Sequence, residues 1–310
     1  MKITNNLGMP DPLAAAVTYF SQPRDRSDIG DFSITELLGP PQQHQLVLKH
    51  YDEIEEDVSD SVYALFGHGI HQLMELHSPS DVLVEKRLSV KMALPEMPAV
   101  KISGKFDLVD NQKTIVDYKV SSIWEAVNGL KEERTQQLNC YDYLCYQNGI
   151  DVHQASVVMI FRDWSKMNVS REASHPKRQV QIFPVTLWTR EEQENFLLKR
   201  IRLHLEARTA AASNQDMAEC TPAERWARPT LYAVSRKDRQ KAVRLCDSQE
   251  DAKAYIQTIK KDRDKHYIET RQGVDTRCVN YCKVNQFCPQ FLKNEQDNME
   301  KLNDAAQMED

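Results

Sequence analysis

VKISGKFDLVDNQKTIVDYKV, residues 100–120, is the stretch on which the fold turns. β-Branched and aromatic residues run along both sides of Asn111-Gln112, and that pair has turn chemistry, so the stretch predicts a β-hairpin. Residues two apart on a strand share a face. Asp117 and Lys119 therefore project together, while Val116, Tyr118 and Val120 project the other way. The turn carries Asp107, on the preceding strand, back toward Asp117. A carboxylate beside an ammonium on an otherwise apolar strand is costly to bury without partners. A divalent metal and a phosphate would supply them, because converging carboxylates suit Mg²⁺ or Mn²⁺, hard ions that take oxygen ligands. Such an ion polarises a phosphodiester and lowers the pKa of water, and Lys119 would orient that water and offset charge on the phosphorane. The competing reading is a surface hairpin with ordinary charges, since Asp-x-Lys alone occurs on many unrelated strands.

Working outward, VLVEKRLSVKM (82–92) adds a strand before the hairpin, giving a β-meander. Ser59 to Leu76 has the periodicity of an amphipathic helix and carries His68 and His71. In SITELLGPP, Ser33 and Glu36 form a capping box for a short helix that stops at Gly39-Pro40-Pro41. Residues 1–30, with Pro10, Pro12 and Pro23, read as a loosely packed lead-in. After the hairpin, residues 124–147 read as one or two helices ended by Gly149. ASVVMIFRDW (155–164) is the most apolar strand and is expected to be central; RQVQIFPVTLW (178–188) is another. Thr189 and Glu192 cap a helix running to Ala210. The expected organisation is a lead-in and helix (1–58), a core of mixed sheet flanked by helices (59–210), a cysteine-rich accessory module (211–290) and a frayed polar tail (291–310). Within the module, TLYAVSR, KAVRLCD, SQEDAKAYIQTIKK and KHYIETR read as strand, strand, helix, strand.

Four short patterns occur in one order: Gly67-His68-Gly69-Ile70-His71 on a helix, Gly104-Lys105-Phe106-Asp107, Asp117-Tyr118-Lys119 on a strand, and Gln137-Leu138-Asn139-Cys140-Tyr141 on a helix. This arrangement resembles the RecB/Cas4-like branch of the PD-(D/E)XK nucleases, over roughly residues 59 to 165. The resemblance implies an α/β (α+β) fold with a restriction-endonuclease-like mixed sheet. It also implies a metal-dependent deoxyribonuclease centred on Asp107, Asp117 and Lys119. His71 would be the third protein ligand of the metal, in preference to His68, and Gln137 and Tyr141 would line the site and touch DNA or order Lys119. Taken singly, His71 also reads as a hydrogen-bonded core histidine, and Gln137 and Tyr141 as packing residues. Glu85 lies near the site edge with no role assigned.

The chain has 310 residues and 41% hydrophobic composition, enough for a sizeable core. It has no run of about 18 apolar residues and no apolar leader at Met1, so no membrane span and a cytoplasmic place are expected. The net charge of −6 runs against a nucleic-acid binder, though a local basic strip can carry a DNA backbone. Of seven cysteines, Cys278, Cys282 and Cys288 form a dense trio that in a reducing compartment reads as a metal site. Cys220 is the preferred fourth ligand, with Cys246 as the alternative. Cys140 and Cys145 read as packed thiols. Members of the resembled family carry a [4Fe–4S] cluster on such a trio, usually spaced C-x2-C-x5-C with an upstream cysteine before the core. Here the first gap is longer by one, and no cysteine precedes Cys140. Zn²⁺ is the alternative occupant, and free buried thiols the bland one. Arg225, Arg228, Arg236, Lys237, Arg239, Lys241 and Arg244, with Trp226 among them, suit a DNA backbone and unstacked bases or are a solvated face balanced by Asp238 and Asp247. The expected function is exonucleolytic or DNA-end processing, with a recombination or replication protein and a second copy of the chain as further partners. A structure-specific or defence endonuclease and a non-catalytic DNA-binding protein are the alternatives.

Overall fold

Capping chemistry and strand register explain most of the architecture. The computed structural model describes residues 1–21, 27, 29–94 and 97–307. The parts of the expected lead-in at 22–26 and 28, and of the expected tail at 308–310, lie outside the described residues. The chain divides into two compact units, Met1–Met217 and Ala218–Asp310.

The first unit starts with β1 (Lys2–Thr4) and α1 (Asp11–Ser21), so the described lead-in has regular structure where a loose segment was expected. Next come β2 (Phe32–Ser33), α2 (Ile34–Leu38) and α3 (Pro41–Lys49). The expected capping box is present: Glu36 N–H donates to Ser33 Oγ at 3.1 Å, and Ser33 N–H donates to Glu36 Oε2 at 2.7 Å. Pro41 opens a further helix, because a proline at the first helical position loses no hydrogen bond. β3 (Glu55–Asp57) pairs with β1 in parallel, and α4 (Val62–His77) follows a single 3₁₀ turn.

The central sheet is built from β4 (Leu83–Met92), β5 (Val100–Val109), β6 (Thr114–Ser121), β7 (Gln154–Phe161) and β8 (Val180–Val185), with β2 added. The order is β2-β5-β6-β7-β8, and β4 pairs the other edge of β5. The sheet is mixed: β6 and β7 run parallel, whereas β4–β5, β5–β6 and β7–β8 are antiparallel. The apolar strand 155–164 lies in its interior as β7, and Pro184 is tolerated in β8 because that strand is an edge. Between β6 and β7 lie α5 (Trp124–Val127) and α6 (Glu132–Gln147), and α7 (Lys166–Val169) precedes β8. α8 (Arg190–Ala212) starts at the Thr189–Glu192 capping box and runs two residues past the expected end. The core packs Phe106, Ile115, Val157, Met159 and Phe161 of the sheet against Leu138 and Leu144 of α6 and Leu197 and Ile201 of α8. Each such side chain contributes about 1.5–3 kcal/mol of burial.

α6 is buried almost all round from Leu138 to Cys145, and its polar groups are matched. Asp142 takes both arms of Arg190, at 2.7 and 3.2 Å, and Gln193 Nε2 at 2.7 Å. Asn139 Oδ1 accepts Trp188 N–H at 2.7 Å. These bonds lock α6 to α8 and so fix where Gln137 and Tyr141 stand.

In the second unit, α9 (Pro222–Arg225) and β9 (Ala227–Arg228) precede β10 (Leu231–Arg236), β11 (Arg244–Cys246), α10 (Gln249–Thr258) and β12 (His266–Arg271). The three longer strands form an antiparallel sheet, order β11-β10-β12. Val234, Cys246 and Ala252 form its small core. β13 (Val274–Asp275) pairs with β9, then come α11 (Thr276–Asn280) and α12 (Pro289–Gln307). The expected frayed tail is thus helical as far as Gln307, started by Pro289 at a helix-opening position.

Candidate active site

The β5–β6 ladder is short. Its register, Leu108↔Val116 and Val109↔Ile115, sets Asp107 opposite Asp117, and there the strands part. Asp107 Oδ2 accepts the Tyr118 N–H at 2.7 Å, so a side chain replaces the next rung of the ladder. β6 continues alongside β7 through all eight residues. On the other edge of β5, Val84 faces Leu108 and Lys86 faces Phe106. That register puts Glu85 opposite Asp107. Glu85, Asp107 and Asp117 therefore form a row across three strands. Glu85 adopts φ 48°, a left-handed conformation that costs a non-glycine residue of order 1–3 kcal/mol and concentrates at functional sites.

α4 brings His71 onto this row. Its Nδ1 lies 3.0 Å from Glu85 Oε1 and 3.4 Å from Asp107 Oδ1. Among the described residues, His71, Glu85 and Asp107 are the set whose ligand atoms all lie within 4.8 Å of one another. Lys105 pairs with the other oxygen of Glu85. Lys119 Nζ lies 2.6 Å from both oxygens of Asp117 and donates to Oδ1, while the buried Oδ2 accepts no hydrogen bond. Burial, and then the Asp117 charge, pushes the Asp107 carboxyl up to about 6. The hydrogen bond to Glu85 raises His71, against burial. Burial would lift Glu85, but its bonds to His71 and Lys105 outweigh that and hold it low. His71 thus stands between two carboxylates, which favour positive charge at this point.

The expected ligand set was His71, Asp107 and Asp117. The structure gathers His71 and Asp107 with Glu85, and Asp117, outside that group, is paired with Lys119. The missed signal was strand register: pairing 82–92 with 100–110 places Glu85 across from Asp107. His68 lies elsewhere, stacked on Phe20 at 4.2 Å between ring centres. Gln137 Nε2 donates to Tyr141 Oη at 2.9 Å. Burial raises the Tyr141 phenol, and the charges of Asp117 and Asp107 raise it further. Gly104 lets that ring approach, since a Cβ there would lie 2.7 Å from a Tyr141 ring carbon and 2.9 Å from Leu144.

In the second unit, Cys220, Cys278, Cys282 and Cys288 interact electrostatically. Burial first, then Glu224 and the other three thiols, pushes Cys220 up to about 12, and burial first pushes Cys278 up to about 11. No three of these sulfurs lie within 4.8 Å of one another. Gln290 clamps Cys220, accepting its N–H at 2.9 Å and donating to its carbonyl at 3.0 Å. Cys246 packs in the small core instead, and Cys140 and Cys145 are buried in α6. Arg225 pairs with Asp275, and Arg236 with Asp238 at 2.7 Å and Asp262 at 3.3 Å. Arg244 lies over Tyr255, and Trp226, at φ 51°, meets Tyr281 edge-on at 5.4 Å with Arg277 against its ring. Lys237, Arg239 and Lys241 are exposed.

No protein-family model matches the sequence, and comparison with curated proteins gives no match. Among solved structures, the chain is similar to one described as "Crystal structure of SSO0001". The identity is 16%, over 63% of this chain and 86% of that chain, with a TM-score of 0.43. No helix among the described residues is long and apolar enough to cross a membrane.

Proposed function

We propose that this chain is a metal-dependent deoxyribonuclease of the PD-(D/E)XK type, RecB/Cas4-like branch, on a restriction-endonuclease-like sheet. The observation that carries the reading is the row Glu85–Asp107–Asp117 across three strands, with His71 above it and Lys119 beside it. The donor set fits a hard divalent cation. It offers carboxylate oxygens and one imidazole, holds a carboxyl that resists ionising when no cation is present, and leaves one buried Asp117 oxygen without a hydrogen bond. Mg²⁺ or Mn²⁺ would be held by Asp107 with His71 and Glu85, with Asp117, here paired to Lys119, as the further ligand that the resemblance implies. When bound, the ion supplies Lewis-acid charge on the phosphodiester and makes water more acidic. Lys119, beside Asp117 on β6, would orient the attacking water and offset charge building on phosphorus. Gln137 and Tyr141 bound the site from α6 and position the strand being cut.

The four thiols of the second unit would hold a metal cofactor. The resemblance implies a [4Fe–4S] cluster there, with Zn²⁺ as the alternative. DNA is the substrate and partner, the cytoplasm the expected place, and end processing with a recombination or replication protein the expected setting. The test is incubation of purified protein with linear and covalently closed DNA, with Mg²⁺, Mn²⁺ or EDTA, beside Asp117→Ala and Lys119→Ala. Metal-dependent loss of linear DNA only, abolished in both variants, is the expected result. Cutting of closed DNA would make it an endonuclease. Undiminished cleavage by either variant would remove the site assignment.

A further inference from the structure

β6 carries one more polar residue on the face of Asp117 and Lys119. Ser121 lies two residues past Lys119, so strand alternation returns it to that side, ~7 Å further along. Its hydroxyl donates to Glu125 Oε2 at 2.7 Å. The Glu125 side chain is only 3% exposed; its Oε1 accepts Arg134 Nε at 3.2 Å, and Lys131 Nζ lies 3.9 Å from Oε2. Burial alone would lift the Glu125 carboxyl. The Ser121 hydrogen bond and the neighbouring cations outweigh it and keep the group ionised. Arg134 lies one turn before Gln137 and two before Tyr141 on α6, so the three share a helix face.

The way Arg134 is held is informative. Arg190, in the same unit, closes its two terminal nitrogens on Asp142 at 2.7 and 3.2 Å, as a structural ion pair does. Arg134 is gripped through Nε, and its two terminal amino groups make no hydrogen bond among the described residues. Its side chain is 24% exposed, enough to meet a ligand. A guanidinium pinned at Nε and open at its fork matches the bidentate geometry of a phosphate.

We propose that Arg134, positioned by Glu125 and Ser121 and assisted by Lys131, binds a backbone phosphate of the nucleic acid beside the scissile one. Ser121, which carries this chain of contacts, leaves β6 two residues beyond Lys119, so the subsite is placed for a phosphate neighbouring the one at Lys119. The inference rests on the nuclease reading and adds to it a subsite for substrate placement.

The test uses the full chain and a fluorescein-labelled DNA duplex. Arg134→Gln, Arg134→Lys and the double variant Glu125→Gln/Arg134→Gln are compared with wild type for kcat and KM with Mn²⁺, and for binding in EDTA across a salt series. The double variant exchanges the ion pair for an amide pair, so no unpaired buried carboxylate remains to unfold the protein. The expected result for Arg134→Gln and the double variant is a KM raised about tenfold, kcat within about twofold, and a slope of log affinity against log salt smaller by about one. Arg134→Lys keeps the slope and regains only part of the affinity, because an ammonium has no fork. If wild type cleaves and the folded double variant keeps wild-type KM and slope, Arg134 is a structural ion pair and the subsite is wrong, while the nuclease reading stands. If wild type neither cleaves nor binds the duplex under any metal, the nuclease reading falls and the subsite with it.

Discussion

Replacing Asp107 by Asn should make the metal-free protein more stable at alkaline pH, at the expense of cleavage. Burial and the Asp117 charge move the Asp107 carboxyl from 3.8 to about 6 in the folded chain. A folded value above the unfolded one means that the folded state binds the proton more tightly. That contribution is fully present below pH 4 and is lost as pH rises through 6. At ~1.4 kcal/mol per pH unit, the fold is weaker by about 3 kcal/mol at pH 8 than at pH 4 on account of this group alone. Asn keeps an acceptor for the Tyr118 N–H but makes a weaker bond than a carboxylate, returning about 1 kcal/mol. The net expectation is a gain of about 2 kcal/mol at pH 8 and near zero at pH 4. That gain corresponds to roughly 4–8 °C in Tm for a unit of this size. Urea unfolding of both proteins in EDTA at the two pH values measures it. Adding Mn²⁺ at pH 8 should raise wild type more than the variant. An Asn variant less stable than wild type at pH 8, or equally advantaged at both pH values, would refute the view that Asp107 is electrostatically strained.

Gly104→Ala should cost about 1–3 kcal/mol in urea unfolding, since the new Cβ meets the Tyr141 ring and Leu144; a neutral effect would mean that the ring is not seated on the glycine. Mn²⁺ affinity should weaken as pH falls, because the Glu85 hydrogen bond raises the pKa of His71 and the imidazole must be proton-free to be a ligand. Titration calorimetry in two buffers of different ionisation enthalpy should show that proton, and equal heats in both would count against His71 as a ligand. Cys282→Ser should lose bound iron or zinc and lower the stability of the second unit, while leaving the first unit's unfolding unchanged; unchanged metal content would show that the thiols hold nothing.

Local chemistry was readable wherever it depends on neighbours in sequence. The Ser33–Glu36 and Thr189–Glu192 capping boxes, the hairpin through Asn111-Gln112, and the end of α6 at Gly149, whose φ is 71°, are each set by residues within four positions of one another. The pairing of Asp117 with Lys119 on one face follows from the two-residue repeat alone. The helix at Asp11–Ser21 and the helical tail are hidden in the sequence, because their prolines stand at helix-opening positions and their residues are largely polar or small.

What pairs with what across the sheet was decided only in three dimensions. Glu85 is a glutamate near the site edge without a role until the β4–β5 register sets it opposite Asp107, and its backbone there is left-handed. That His71 rather than His68 meets Glu85 depends on the rotation of α4 over the sheet, and Cys246 is taken up by the small core of the second unit. The pairing of Glu125 with Arg134 depends on how α5 and α6 return over β6. Sequence fixes periodicities because they arise from bonded geometry. Register, helix rotation and burial arise from packing among segments far apart in the chain, and a one-residue change in any of them would exchange the residues that meet.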